Sequence, residues 1–92
     1  MAEPCCETSV EIRNKEGLHM RPAMKFVDVA NRFESTITVS CGDNSVDGKS
    51  IMQISMLAAT KGTKLNIKAQ GADADKAISA LRKLTEVNMF DE

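Results

Sequence analysis

The 92-residue chain contains a single histidine, in the stretch Gly17-Leu18-His19-Met20-Arg21-Pro22-Ala23. Just beyond it, Ala23, Phe26, Val27, Ala30 and Phe33 recur at the spacing of one helical face. Pro22, close to the start, is tolerated there because its missing N–H has no intrahelical role in the first turn. His19 therefore stands at a helix N-terminus. The first-turn amides have no intrahelical partners, and the helix dipole places partial positive charge around them. A group bonded to an imidazole nitrogen would face those amides. Phosphate is the anion such a site favours, and the guanidinium of Arg21 can hold it. A neutral imidazole, an anion cradle and a cation together describe a phosphoryl acceptor. The same residues could also be a polar helix start followed by a solvated surface charge. Nothing supplies paired carboxylates or a Ser/His/Asp set, so hydrolytic chemistry fits less well.

The elements that must position this stretch are legible in the periodicities. Thr8 to Arg13 alternates with Val10 and Ile12 on one side, as a half-buried strand does, and Lys15, Glu16 and Gly17 form a turn. The helix spans Met20 to Phe33. Ser35 to Cys41 alternates again, and Gly42-Asp43-Asn44 turns it into a short return strand, Ser45-Val46-Asp47, so the pair reads as a hairpin. Ser50 can cap a short helix through Ile51, Met52, Ile54, Met56 and Leu57, with Lys61-Gly62 as its stop. Lys64 to Ala69 gives a fourth strand. Asp73 can then cap a last helix whose apolar face is Ala74, Ala77, Ile78, Leu81 and Leu84. The order is β-α-β-β-α-β-α. Each strand has one apolar side, so the expected fold is α+β: an open-faced β-sandwich with a four-stranded antiparallel sheet and three helices on one face.

Composition excludes several classes. The chain is 42% hydrophobic and 27% charged, suited to one globular domain over 1–92, with residues 1–7 expected to be a flexible N-terminus. Twelve Lys/Arg against thirteen Asp/Glu leave a net charge of −1, and only three residues are aromatic. That balance argues against nucleic-acid binding, which wants a basic surplus and stacking aromatics. No apolar run approaches the ~20 residues that span a bilayer. No basic region followed by an apolar core marks a secretory signal, so a cytoplasmic location and reduced thiols are expected. Three cysteines make no disulfide framework. Cys5 and Cys6 are adjacent, without zinc-ligand spacing, so neither metal nor cofactor is expected.

The segment 17–23 closely resembles the G-(L/I)-H-x-R-P-(A/S) site of HPr, the histidine phosphocarrier of the bacterial phosphoenolpyruvate:sugar phosphotransferase system. The likeness continues through Gly48-Lys49-Ser50-Ile51-Met52, Lys61-Gly62 and Gly71-Ala72-Asp73, and covers Thr8 to Leu84. It implies the fold just derived. It further implies that His19 accepts a phosphoryl group on Nδ1 from phospho-enzyme I and passes it to enzyme IIA domains, with Arg21 stabilising the phosphate. Such a carrier acts stoichiometrically and is not an enzyme. The serine matching Ser50 is phosphorylated in many relatives by an ATP-dependent HPr kinase/phosphorylase; here Ser50 has a capping role as well. The docking patch expected for partners is Met20, Met24, Ile51, Met52 and Ser55, and a monomer is the default state.

Some residues depart from the pattern. Asp28 and Asn31 stand where several relatives carry basic residues on the first helix, although Lys25 and Arg32 lie nearby. Ser55 and Met56 also differ from common choices. The Cys5-Cys6 pair has no counterpart. An alternative reading is a regulatory interaction protein, driven by Ser50 phosphorylation or serving a nitrogen-type relay.

Overall fold

In the computed structural model, residues 4–87 are described, and four alternating stretches of the chain become strands. They are β1 (Cys5–Glu11), β2 (Thr36–Cys41), β3 (Asn44–Asp47) and β4 (Lys64–Gln70), in the sheet order β1-β4-β2-β3 with every neighbouring pair antiparallel. Three helices, α1 (Met20–Ala30), α2 (Ile51–Met56) and α3 (Ala74–Arg82), pack on one side. Strand residues Val10, Ile37, Val39, Leu65, Ile67 and Ala69 face them and are buried. The opposite face carries Glu7, Thr36, Thr38, Ser40, Asn66, Lys68 and Gln70 and stays open to water. This is the open-faced α+β sandwich expected from the one-sided strand pattern. Between the layers, Phe26, Ile54 and Leu81 fill the core without an aromatic cluster.

Several boundaries shift, each for a local reason. Pairing in β1 begins at Cys5, opposite Gln70, with Cys6 opposite Ala69 and Glu7 opposite Lys68. Residues 5–7 are therefore strand and not flexible terminus, because β4 is long enough to pair them; residues 1–3 lie outside the described residues. Cys6 consequently gains a plain role, packing its side chain against the core from the sheet's inner face, while Cys5 faces outward. Helix α1 ends at Ala30, earlier than Phe33, with Asn31 folding its side-chain amide onto the Val27 carbonyl at 2.9 Å. Its buried face is Pro22, Ala23, Phe26, Val29 and Ala30, so Val29 takes the place expected of Val27. Helix α2 stops well before Lys61-Gly62. Ala58 adopts the left-handed conformation (φ 50°), which breaks the helix where Gly would be the usual choice. The last helix runs on past α3 in a wider π turn, Lys83–Val87, where the buried Thr85 hydroxyl donates to the Leu81 carbonyl at 2.8 Å.

Asp73 precedes α3 as expected, but its side chain does not cap that helix. The carboxylate accepts from the Glu34 amide at 2.9 Å, the Ser35 amide at 3.0 Å and the Ser35 hydroxyl. Three donors from the loop after α1 outcompete the single bond a cap would make. Asp73 thus ties the start of α3 to the entry of β2. At the far end, Glu86 accepts from the Glu11 amide at 3.0 Å and pairs with Arg82 at 3.3 Å, closing the last turn onto β1.

These ties make a pH dependence. The Ser35 hydroxyl and the Glu34 amide hold the Asp73 carboxyl below its ordinary 3.8, and the Glu11 amide holds Glu86 below 4.5. A carboxylate with a depressed folded value stabilises the fold above its unfolded value and loses that contribution as pH falls through the folded one. Urea unfolding midpoints should hold steady from neutrality down to roughly pH 5 and then drop towards pH 3. The double variant Asp73→Asn, Glu86→Gln should start lower at neutral pH and show a visibly shallower acid limb.

Candidate functional site

The geometry around His19 begins two residues earlier. Gly17 has φ 67°, and a Cβ there would collide with the Ala59 carbonyl oxygen and lie 2.9 Å from Thr60 Cα. Only glycine allows the loop to lie flush on segment 58–60. The next residue, Leu18, is buried and donates its amide to the Ala59 carbonyl at 2.8 Å. His19 follows with extended backbone (φ −70°, ψ −179°) as the residue preceding α1, and its carbonyl accepts the Ala23 amide at 2.9 Å. The side chain makes no capping bond, so the exposed ring is not occupied by its own helix. Because Pro22 has no N–H and Ala23 is engaged, the amides of Met20 and Arg21 are the donors left at the helix opening. Arg21 is exposed and makes no hydrogen bond or ion pair among the described residues. These groups present an imidazole, amide donors and a cation to solvent on one helix end.

His19 borders an open depression of about 400 Å³, lined also by Leu18, Met20, Ser55, Ala58, Ala59 and Thr60. Its floor is the strained end of α2, so the two helices meet at the histidine. Beside it, Met20, Met24 and Ile51 share with Val27, Asp28 and Asn31 a groove of about 510 Å³ between α1 and α2. Met20, Met24 and Met52 are 63%, 57% and 74% exposed, which is unusual for large apolar side chains. Ile51 is half-buried and supports the groove from α2. Ser55 is half-buried too; its hydroxyl donates to the Ile51 carbonyl at 2.8 Å, so it contributes little free hydrogen bonding. Met56, read from the sequence as part of the short helix, is 76% exposed. The acidic Asp28 is paired with Arg32 at 3.0 Å, which softens the charge difference on α1.

Ser50 caps α2 as the sequence indicates: the backbone is extended and the hydroxyl accepts the Gln53 amide at 3.3 Å. Gly48 sets it in place. The Gly48 amide donates to the Ile37 carbonyl at 2.8 Å, and a Cβ there would fall 3.0 Å from the Ile37 Cβ. Lys49 reaches across to the Phe33 carbonyl at 2.6 Å and fastens this turn to the loop after α1.

The family model described as PTS HPr component phosphorylation site matches residues 6–86. The chain belongs to the HPr family. Phosphocarrier protein HPr from Pseudomonas aeruginosa is 49% identical over 84 residues, covering 90% of this chain and 92% of that one. The crystal structure of HPr-C-His from Thermoanaerobacter tengcongensis is 41% identical, with a TM-score of 0.90 over 95% of this chain and 97% of that one. The phosphoryl donor subunit of a PEP-dependent dihydroxyacetone kinase from Providencia stuartii is 33% identical over 90 residues, 98% of this chain but 19% of that protein. The HPr fold is thus used both alone and inside a longer phosphoryl donor.

Two substitutions separate site geometry from general stability. Gly17→Ala forces a left-handed Ala against the Ala59 carbonyl and should cost about 2 kcal/mol or more, measured as a fall in denaturant midpoint. Ser50→Ala removes only the cap and should cost about 1 kcal/mol, with the backbone amide shifts of segment 14–20 unchanged in NMR spectra.

Proposed function

We propose that this HPr-family protein is a phosphoryl carrier in which the Nδ1 lone pair of His19 attacks the phosphorus of a phosphohistidine on enzyme I. As the new P–N bond forms, the donor's P–N bond breaks and its imidazole leaves. The step reverses onto an enzyme IIA domain. The observation that carries this reading is the exposed His19 ring, free of capping, at the opening of α1 beside the unpaired Arg21. The amides of Met20 and Arg21 and the Arg21 guanidinium stabilise phosphoryl charge. The site is open, so the phosphate is held without being caged, as a carrier with a reversible transfer requires.

The partners dock on Met20, Met24, Ile51 and Met52, with Ser55 at the margin towards His19; this surface adjoins the phosphate without covering it. The protein is restored after each transfer, so it is a carrier and not an enzyme, acting as a cytoplasmic monomer on other proteins of the phosphotransferase system and not on nucleic acid. Among the described residues no helix is long and apolar enough to cross a membrane. Ser50 is the proposed regulatory site for an ATP-dependent HPr kinase/phosphorylase. Its hydroxyl sits at the positive end of α2, where added negative charge is locally tolerated, directly before Ile51 and Met52 of the docking surface. A phosphate there would weaken partner docking by placing charge beside apolar contacts.

His19→Ala tests the carrier reading. Transfer from phosphoenolpyruvate through enzyme I should vanish, while the melting temperature stays within about 2 °C because an exposed, unbonded side chain is removed. Transfer that persists in the variant places the acceptor elsewhere.

A further inference from the structure

The peptide group joining Gly17 to Leu18 is held from both sides. Its N–H donates to the Ala59 carbonyl at 2.8 Å, and its C=O accepts the side-chain amide of Asn14 at 2.7 Å. The Gly17 amide returns to the Asn14 carbonyl at 3.2 Å, so residues 14 and 17 close a turn through two bonds. Two peptide groups further on, the His19 carbonyl is bound by Ala23. The ring of His19 therefore hangs from a backbone whose orientation is fixed by a few hydrogen bonds, and Asn14 supplies the only side-chain donor among them in the described residues.

Asn14 is 6% exposed, one of the few polar residues in the described core. Its carboxamide oxygen is buried and has no hydrogen-bond partner among the described residues. Burying an unpaired acceptor opposes folding and offsets part of what the buried bond to the Gly17 carbonyl contributes. The amide is therefore better explained by the carbonyl it orients than by its net stability.

We infer that Asn14 is a positioning residue for phosphoryl transfer: its side chain locks the Gly17–Leu18 peptide group and thereby sets the direction of the His19 ring towards the amides of Met20 and Arg21. This rests on the reading of His19 as phosphoryl acceptor. Asn14 touches neither partner nor phosphate; its effect passes through backbone orientation. Small misplacements of a reacting group are costly in rate even when binding is intact. The signature is consequently a loss of kcat with KM unchanged, since Met20, Met24 and Met52 remain in place.

The test uses Asn14→Leu, similar in volume and without the amide, and Asn14→Asp, the same shape with the donor replaced by an acceptor. Initial rates of phosphorylation by phospho-enzyme I are measured against concentration of the carrier, with wild type and His19→Ala alongside. Both Asn14 variants should fold, with Asn14→Leu at least as stable as Asn14→Asp, and both should lose kcat by about tenfold or more with KM within about twofold. Unchanged kcat in either folded variant overturns the inference, as does an effect confined to KM. Loss of the fold in both also overturns it, because Asn14 would then be a folding residue. If wild type itself takes up no phosphate, the acceptor reading has failed; if wild type does and the variants match it, only the role of Asn14 has.

Discussion

The structure around His19 depends on one contact, the loop 14–18 pressed onto segment 58–60. A glycine with no Cβ, the Leu18 amide on the Ala59 carbonyl, and a buried leucine behind them bring two distant parts of the chain together. α1 begins where that contact ends, so its opening amides and the histidine inherit their position from it. α2 is caught by the same contact, since its break at Ala58 leads directly into the segment that receives the loop. Without the contact, the histidine would still be exposed. Its backbone would not be held in place, and the two helices would not meet beside it.

Strain and unsatisfied polarity concentrate near the histidine. Ala58 holds a backbone conformation disfavoured for any side chain, and Asn14 buries an oxygen with no partner among the described residues. Folded proteins usually avoid both, and they persist where the surrounding structure enforces them. Away from the site, the molecule is satisfied in ordinary ways: Asp73 gathers three donors and Glu86 closes the last turn onto β1. The distribution suits the proposed carrier, which would stay rigid while one end offers apolar side chains and His19 to successive partners.

Much of this was legible in the sequence because it rests on local periodicity. One-sided alternation in four short stretches dictates a sheet covered on one face, and Ser50 before an apolar run announces a cap. His19 stood out because it, Arg21 and Pro22 fall within one turn of the start of a helical pattern, in a segment that resembles the HPr site. What was not legible depends on contacts across the chain. Asp73 has the sequence position of a cap, yet its partners are Glu34 and Ser35, which no local window reveals. Cys6 acquires a role only once β1 is known to extend to Cys5. Asn14 falls between the strand and the turn read from the sequence, and only the fold shows that its side chain holds the peptide group joining Gly17 to Leu18. α2 ends at Met56 with Ala58 in the left-handed region just beyond, and no glycine there signals it.

The central claim is that an aimed, uncaged histidine at a helix opening accepts a phosphoryl group and gives it up again. The most direct measurement is phosphorus NMR with intact mass after incubation with phosphoenolpyruvate and enzyme I, followed by addition of an enzyme IIA domain. The account predicts one added phosphate, labile in acid, with the signature of an Nδ1 phosphohistidine, which then leaves to the acceptor. A phosphate that is stable in acid, or that appears only with ATP and a protein kinase, would contradict it.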